Sequence, residues 1–215
     1  MSTDRAITKV SLMRHGHVYN PTAVYYGRLP NFRLSETGQA EAQHTAVALQ
    51  SNGFAPIRAV FSSPLLRARQ TAQIVHEQLQ LEGEVMVSDL LLEIHSPYDG
   101  EKLTAMEARN WNFYADVQPP YEQPEDILGR VQQFMRQMAT DYAGEHVLAV
   151  THGDIITFAL MWAMGLPLQH EQKVEMAQHG LTDAYVGTAS VTTFEISDLS
   201  WQTRPWFRYT NPNAE

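Results

Sequence analysis

Short apolar runs and helix-spaced segments alternate from one end of this 215-residue chain to the other, and that alternation most restricts its fold. A strand and an amphipathic helix bury their apolar faces together when the helix packs back on the sheet, so the repeated order reads as α/β. Residues 7–13, 59–62, 85–87, 146–151 and 190–196 have strand character. The first and fourth are short apolar runs of the kind expected in parallel strands covered on both faces. A last strand over residues 201–207 belongs at an edge, because Pro205 has no N–H to give to a ladder.

The helix signals fall between these runs. A first helix is expected over residues 35–52, with Ser35 as N-cap, Gly53 past its end, and Ala40, Val47 and Leu49 on its apolar face. A second starts with Ser63 as N-cap and Pro64 at the first helical position, then continues through Ile74, Val75 and Leu79. A third covers residues 124–142, with Ile127, Leu128, Val131, Phe134 and Met138 in one stripe. A fourth follows Gly153. Between residues 89 and 123 the pattern loosens, with one short helical patch near residues 102–114. A stretch that long is more often functional than a plain connection, so residues 94–123 are expected to form a lid-like insertion in a single domain spanning residues 1–215.

Composition removes several classes of function. With no cysteine there is no disulfide, thiolate metal site or cysteine nucleophile. A net charge of −9 argues against a broad nucleic-acid surface, which needs a basic stripe. The longest apolar segment, residues 155–166, falls short of the roughly 18 to 20 residues of a bilayer span, so no membrane association is expected. Residues 1–6 are polar and carry no secretory pattern, which points to a cytoplasmic protein.

Polar residues collect where three strands should stop. The first runs into Arg14-His15-Gly16, the second into Ser63-Pro64-Leu65-Leu66-Arg67, and the fourth into Thr151-His152-Gly153-Asp154. In open α/β sheets ligands bind outside the carboxyl ends of the strands, so Arg14, His15, Arg67 and His152 are expected to converge. Gly16 lets the backbone turn there and come close to a ligand. A neutral imidazole is a nucleophile at pH 7, and His15 is the choice for carrying a phosphoryl group. Arg14 and Arg67 would clamp phosphoryl oxygens with charge-assisted bonds, and His152, if protonated, would add a donor. Glu93 follows an apolar run, where partial burial would raise its pKa as a general acid requires, with Asp99 and Glu101 as substitutes. No metal or other cofactor is needed in this scheme.

Together these segments resemble the histidine phosphatase superfamily, in its phosphoglycerate-mutase-like branch. The resemblance rests on Leu12-Met13-Arg14-His15-Gly16 with Asn20, on Leu34 to Ala40, on Ser62 to Ala72, on Leu92-Glu93 and on Thr151-His152-Gly153. It implies a three-layer α/β/α sandwich with a mostly parallel sheet. It also implies His15 as the phosphorylated nucleophile, Glu93 as proton donor, and Arg14, Arg67 and His152 as the phosphate pocket, which Asn20 joins. Tyr26, Arg28 and Asp154 are candidate substrate contacts, Arg28 for a second anionic group. Tyr25, Tyr98, Trp111 and Tyr121 are further specificity candidates, but Trp111, like Phe113 and Tyr114, reads first as packing of the insertion.

The reaction expected is metal-independent hydrolysis of a small phosphorylated metabolite through phosphohistidine. A phosphoglycerate mutase or other phosphomutase of the same family is the alternative; such mutases are generally longer, with a C-terminal tail over the site. Two other classes compete. A metallohydrolase could use His15, His17, His152 and Asp154, and a non-catalytic protein could bind a phosphorylated ligand. The expected partner is the small substrate, with a homodimer as a further option.

Overall fold

The computed structural model describes residues 6–51, 54–179, 181, 183 and 185–214. Six strands, β1 (Thr8–Arg14), β2 (Ala59–Ser62), β3 (Met86–Val87), β4 (His146–Thr151), β5 (Val191–Ile196) and β6 (Trp206–Thr210), form one sheet in the order β3-β2-β4-β1-β5-β6. β1, β2, β3 and β4 are mutually parallel, while β5 runs antiparallel to both β1 and β6. The helices are α1 (Glu36–Ser51), α2 (Leu66–Gln78), α3 (Leu103–Ala108), α4 (Pro124–Asp141), α5 (Gly153–Met164) and α6 (His170–Val174). Among the described residues no helix is long and apolar enough to cross a membrane.

Strand side chains alternate between the faces, and each face has its own helices. Val10, Leu12, Val147 and Ala149 pack with Ile127, Val131 and Phe134 of α4 and Ile155 and Phe158 of α5. Met13, Val60, Leu148 and Val150 pack on the other face with Ala46 and Leu49 of α1 and Ala68, Ala72 and Val75 of α2. This is the expected three-layer sandwich.

The chain departs from the sequence expectations in three places. α2 begins at Leu66 rather than Pro64. Ser63 remains tied to the sheet, its N–H donating to the Val150 carbonyl at 2.9 Å and its hydroxyl bonded to His152, so the helix starts later and Arg67 is its second residue. β6 covers Trp206–Thr210 rather than residues 201–207. Asp198 accepts from the N–H groups of Ser200 and Thr203, which holds the preceding residues in a turn, and the strand starts just beyond Pro205 at the sheet edge. The buried face of α1 consists of Gly38, Ala42, Thr45, Ala46, Ala48 and Leu49, while Val47 is exposed and Ala40 lies on the solvent side. The expected last helical residue Asn52 and its cap Gly53 lie outside the described residues, as do residues 1–5.

Ser35 does cap α1, its hydroxyl accepting from the Gly38 N–H at 3.0 Å. Gly16 and Gly38 then let two stretches of backbone come into direct contact. A Cβ on Gly38 would lie 2.0 Å from the His17 carbonyl oxygen, and one on Gly16 would lie 2.3 Å from the Gly38 oxygen. Gly16 is thus required for backbone-to-backbone packing of the His15 loop on α1. In an exposed helix interior Gly→Ala usually stabilises by about 1 kcal/mol. At Gly38 the sign is expected to reverse, with Gly38→Ala costing about 1 to 3 kcal/mol because rigid backbone must shift. Urea denaturation midpoints check this, and an unchanged or higher midpoint would show that the contact relaxes freely.

Candidate active site

The sheet register places the catalytic candidates. Arg14 pairs with Thr151 and Ser62 with Val150, so His15, Ser63 and His152 leave three neighbouring strands at one level. The His15 N–H continues the ladder to the Thr151 carbonyl at 3.0 Å. Its ring lies 5.3 Å from that of His152, centroid to centroid. Arg67 comes in from the first turn of α2 and is completely buried.

His15 is 1% exposed, and its hydrogen bonds assign the ring tautomer. Nδ1–H donates to the Gly16 carbonyl at 2.8 Å, which leaves the Nε2 lone pair to accept from Arg67 Nε at 3.2 Å. Burial, then the charges of Arg67 and Arg14, hold the imidazole well below its ordinary pKa. The ring is therefore a neutral base with Nε2 turned toward a guanidinium. His152 is also kept neutral by burial and by Arg67. Its Nδ1 lies 3.2 Å from Arg67 Nη2 and its Nε2 2.8 Å from the Ser63 hydroxyl. With Nδ1 accepting, Nε2–H donates to Ser63, so in this state His152 is not the protonated donor that the sequence reading entertained.

The two arginines have donors to spare. Arg67 Nη2 donates to the Gly27 carbonyl, and Arg14 Nη1 donates to that of Val186. Arg67 Nη1 and Arg14 Nε are buried with no hydrogen-bond partner. Buried donors of this kind normally have partners, and charged ones beside a nucleophile suit an anion.

Glu93 is 9% exposed, with Oε2 at 3.5 Å from His152 Nδ1 and 3.7 Å from Arg67 Nη2. Burial raises its pKa and outweighs the opposing pull of Arg67. That shift favours a carboxylic acid as proton donor. The alternatives are placed elsewhere: Asp99 accepts from the Arg28 N–H, and Glu101 is exposed. The backbone of Glu93 is pinned by two arginines and Glu122. Arg28 Nε and Arg130 Nη2 both donate to the Glu93 carbonyl, at 2.7 and 3.3 Å, and both guanidinium groups pair with Glu122. Arg28 is thereby committed to holding Glu93.

A cavity of about 680 Å³ opens beside these groups, and Arg14, His15, Asn20, Tyr25, Tyr26, Glu93, Trp111, Phe113 and Asp154 are part of its lining. Asn20 closes its own turn, with Nδ2 donating to the Val24 carbonyl and Oδ1 accepting from the Val24 N–H. The Tyr26 ring lies under the Arg67 guanidinium at 4.7 Å. Tyr98 and Tyr121 face elsewhere, on Arg109 and His95. Asp154 accepts from Tyr114, Tyr185 and Lys173, the last at 2.9 Å. Although burial pushes the other way, Lys173 holds this carboxylate below its ordinary pKa. Tyr185 in turn stacks on Arg14, with the guanidinium 5.3 Å from the ring centre. Lys173 and Tyr185 carry no motif that would have drawn notice in the sequence.

His15, Glu93 and His152 each bring a potential ligand atom within 4.8 Å of the others. That spacing alone would accommodate a metal ion. Arg67 lies at 3.2 Å from ring nitrogens of both histidines, where its charge opposes a cation and favours an anion. Asp154 is tied to Lys173 and two tyrosines, so it is not free to complete a metal set with them.

Known proteins give the same picture. An uncharacterized Mycobacterium tuberculosis protein is 31% identical over 173 residues, covering 77% of this chain and 83% of that one. A phosphoglycerate mutase of Schizosaccharomyces pombe is 28% identical over 193 residues, covering 82% and 89%. Among solved structures, a mycobacterial glucosyl-3-phosphoglycerate phosphatase superposes with a TM-score of 0.71 at 24% identity, over 97% of this chain and 100% of that one. The model of the histidine phosphatase superfamily (branch 1) matches residues 10–206, from β1 to the start of β6. With its strand-end histidines and arginines on such a sheet, this chain belongs to the histidine phosphatase superfamily, whose members are phosphatases and phosphomutases.

Proposed function

We propose that this protein is a metal-independent phosphatase that hydrolyses a small phosphorylated metabolite through a phosphohistidine at His15. The observation that carries the reading is the Nε2 lone pair of a buried, neutral His15 facing Arg67, with unpartnered guanidinium N–H groups of Arg67 and Arg14 beside it. In the first step Nε2 attacks phosphorus, the P–O bond to the alcohol breaks, and Glu93 gives its proton to the departing oxygen. Charge grows on the phosphoryl oxygens during this transfer, where Arg14 and Arg67 act most strongly. In the second step the Glu93 carboxylate takes a proton from water, which attacks phosphorus and breaks the P–N bond. The products are the alcohol, inorganic phosphate and the starting enzyme.

A phosphomutase would share the first step and pass the phosphoryl group to a second alcohol. The similarity to phosphoglycerate mutases keeps that reading in view. Rapid-quench mixing with a labelled phosphomonoester is expected to trap an acid-labile, base-stable phosphoryl group on His15, followed by free phosphate without any bisphosphorylated primer. Transfer to an acceptor with little free phosphate would favour the mutase. Turnover with no label on His15 would overturn the mechanism, and neither label nor turnover across a broad substrate panel would favour a binding protein.

A further inference from the structure

The cavity is much larger than a phosphoryl group needs, and its wall is partly apolar. Arg14, His15 and Glu93 line it beside the polar groups already described, and Leu103, Trp111, Phe113 and Val174 add apolar wall to the same cavity. A cavity of about 680 Å³ lies within the range of roughly 300–1,000 Å³ typical of sites for drug-sized ligands. Recognition of a second anion there would need an uncommitted cation. Lys173 is 3% exposed, pairs with Asp154 at 2.9 Å, and lies over the rings of Phe113 and Tyr114 at 5.2 and 5.3 Å. Asp154 already accepts from Lys173, Tyr114 and Tyr185, so its charge is balanced before any substrate ammonium arrives. Arg28 is turned to Glu122 and the Glu93 carbonyl, and Arg109 lies over the Tyr98 ring at 4.0 Å. His17, at the cavity wall, bonds through Nδ1 to Ser35.

We propose that the apolar part of this wall, where the Trp111 and Phe113 rings lie 6.3 Å apart, receives the alcohol part of the substrate as a neutral, ring-bearing apolar group against Trp111, Phe113 and Leu103, in place of the second anion of a phosphoglycerate. The proposal rests on the phosphatase reading for the phosphoryl group and adds the class of leaving group. An apolar ring gains by leaving water for this wall. A carboxylate placed there would lose its hydration and meet in Lys173 a charge already neutralised by Asp154.

Binding of non-hydrolysable phosphonates separates this proposal from the question of catalysis. In calorimetry, 2-(1-naphthyl)ethylphosphonate is expected to bind the wild-type protein about 100-fold more tightly than a carboxyalkylphosphonate of similar chain length, the scale of one well-buried ring. Trp111→Ala is expected to shrink that ratio. Asp154→Asn, which releases Lys173, is expected to shift it toward the carboxylate, and Leu103→Lys should do the same if the Asp154 variant fails to fold. Equal binding, or preference for the carboxylate in the wild type, would overturn the subsite. Phosphate release from the corresponding naphthylethyl phosphate, measured separately, bears on the phosphatase reading: tight selective binding without release would sustain the subsite and sink the hydrolase.

Discussion

His15→Ala is expected to lower phosphate release by about 10⁵-fold, the scale seen when a covalent nucleophile is removed from an otherwise intact site. The size follows from the geometry. Nδ1–H is fixed on the Gly16 carbonyl, so the lone pair of Nε2 is the one that attacks, while His152 spends its Nε2–H on Ser63 and stands on the other side of Arg67. The anion pocket should survive, because Arg14 and Arg67 are held by the Val186 and Gly27 carbonyls independently of His15. Inorganic phosphate should therefore bind the variant within a few-fold of wild type while turnover and covalent labelling vanish. Activity within about tenfold of wild type would remove His15 from the chemistry.

Glu93→Gln is expected to cost about 10²- to 10⁴-fold on phosphates of ordinary alcohols, the usual worth of a general acid. With 4-nitrophenyl phosphate the first step should lose less than about tenfold, since a good leaving group departs without a proton. The pH dependence gives a second readout. Glu93 works in its protonated form and has a raised pKa, so the wild-type kcat/KM for an alkyl phosphate should fall as pH rises through that value. His15 works in its neutral form and has a pKa well below the ordinary value of 6.5, so the acid-side fall should come below pH 6.5. The Gln variant should lose the alkaline fall and keep the acid one. An alkaline limb unchanged in Glu93→Gln would transfer the acid role to another group.

Much of the fold was legible because strands and helices here carry strong local signals. β2 and β4 lie at the expected residues, β1 and β5 are displaced by a single residue at their starts, and Ser35 caps α1. Local signals misled where a long-range bond competed. Ser63-Pro64 looks like a helix start, yet Ser63 is claimed by Val150 of β4 and by His152 just past its end, 89 residues along the chain, and the helix yields. The start of β6 was misplaced because Asp198 gathers the backbone N–H groups of the turn before it. The buried face of α1 is hard to read from sequence because it consists of glycine, alanine and threonine with one leucine, which carry little hydropathy contrast.

The site shows the same division. Arg14, His15, Arg67 and His152 stand at the ends of strands or in a helix's first turn, positions that sequence order and the sheet rule define. Their convergence was therefore predictable from the chain alone. What Arg28, Asp154 and the insertion do was not. Arg28 looks like a second anion site until Glu122 and Glu93 are seen to occupy it. Phe113 reads as packing, but it faces the cavity and Lys173 as well. Glu122, Arg130, Lys173 and Tyr185 sit far from the motifs in sequence, and each matters through a partner brought to it by folding.

The sequence by itself determined the α/β class, the order of its main elements and the residues that gather for phosphoryl chemistry, because those depend on local periodicity and on strand ends. The tertiary structure decided which tautomer His15 adopts, which carboxylate stands beside it, and which cations remain free to meet a substrate. Those are questions of burial and pairing, and a charge becomes available or spent only when distant segments close around it.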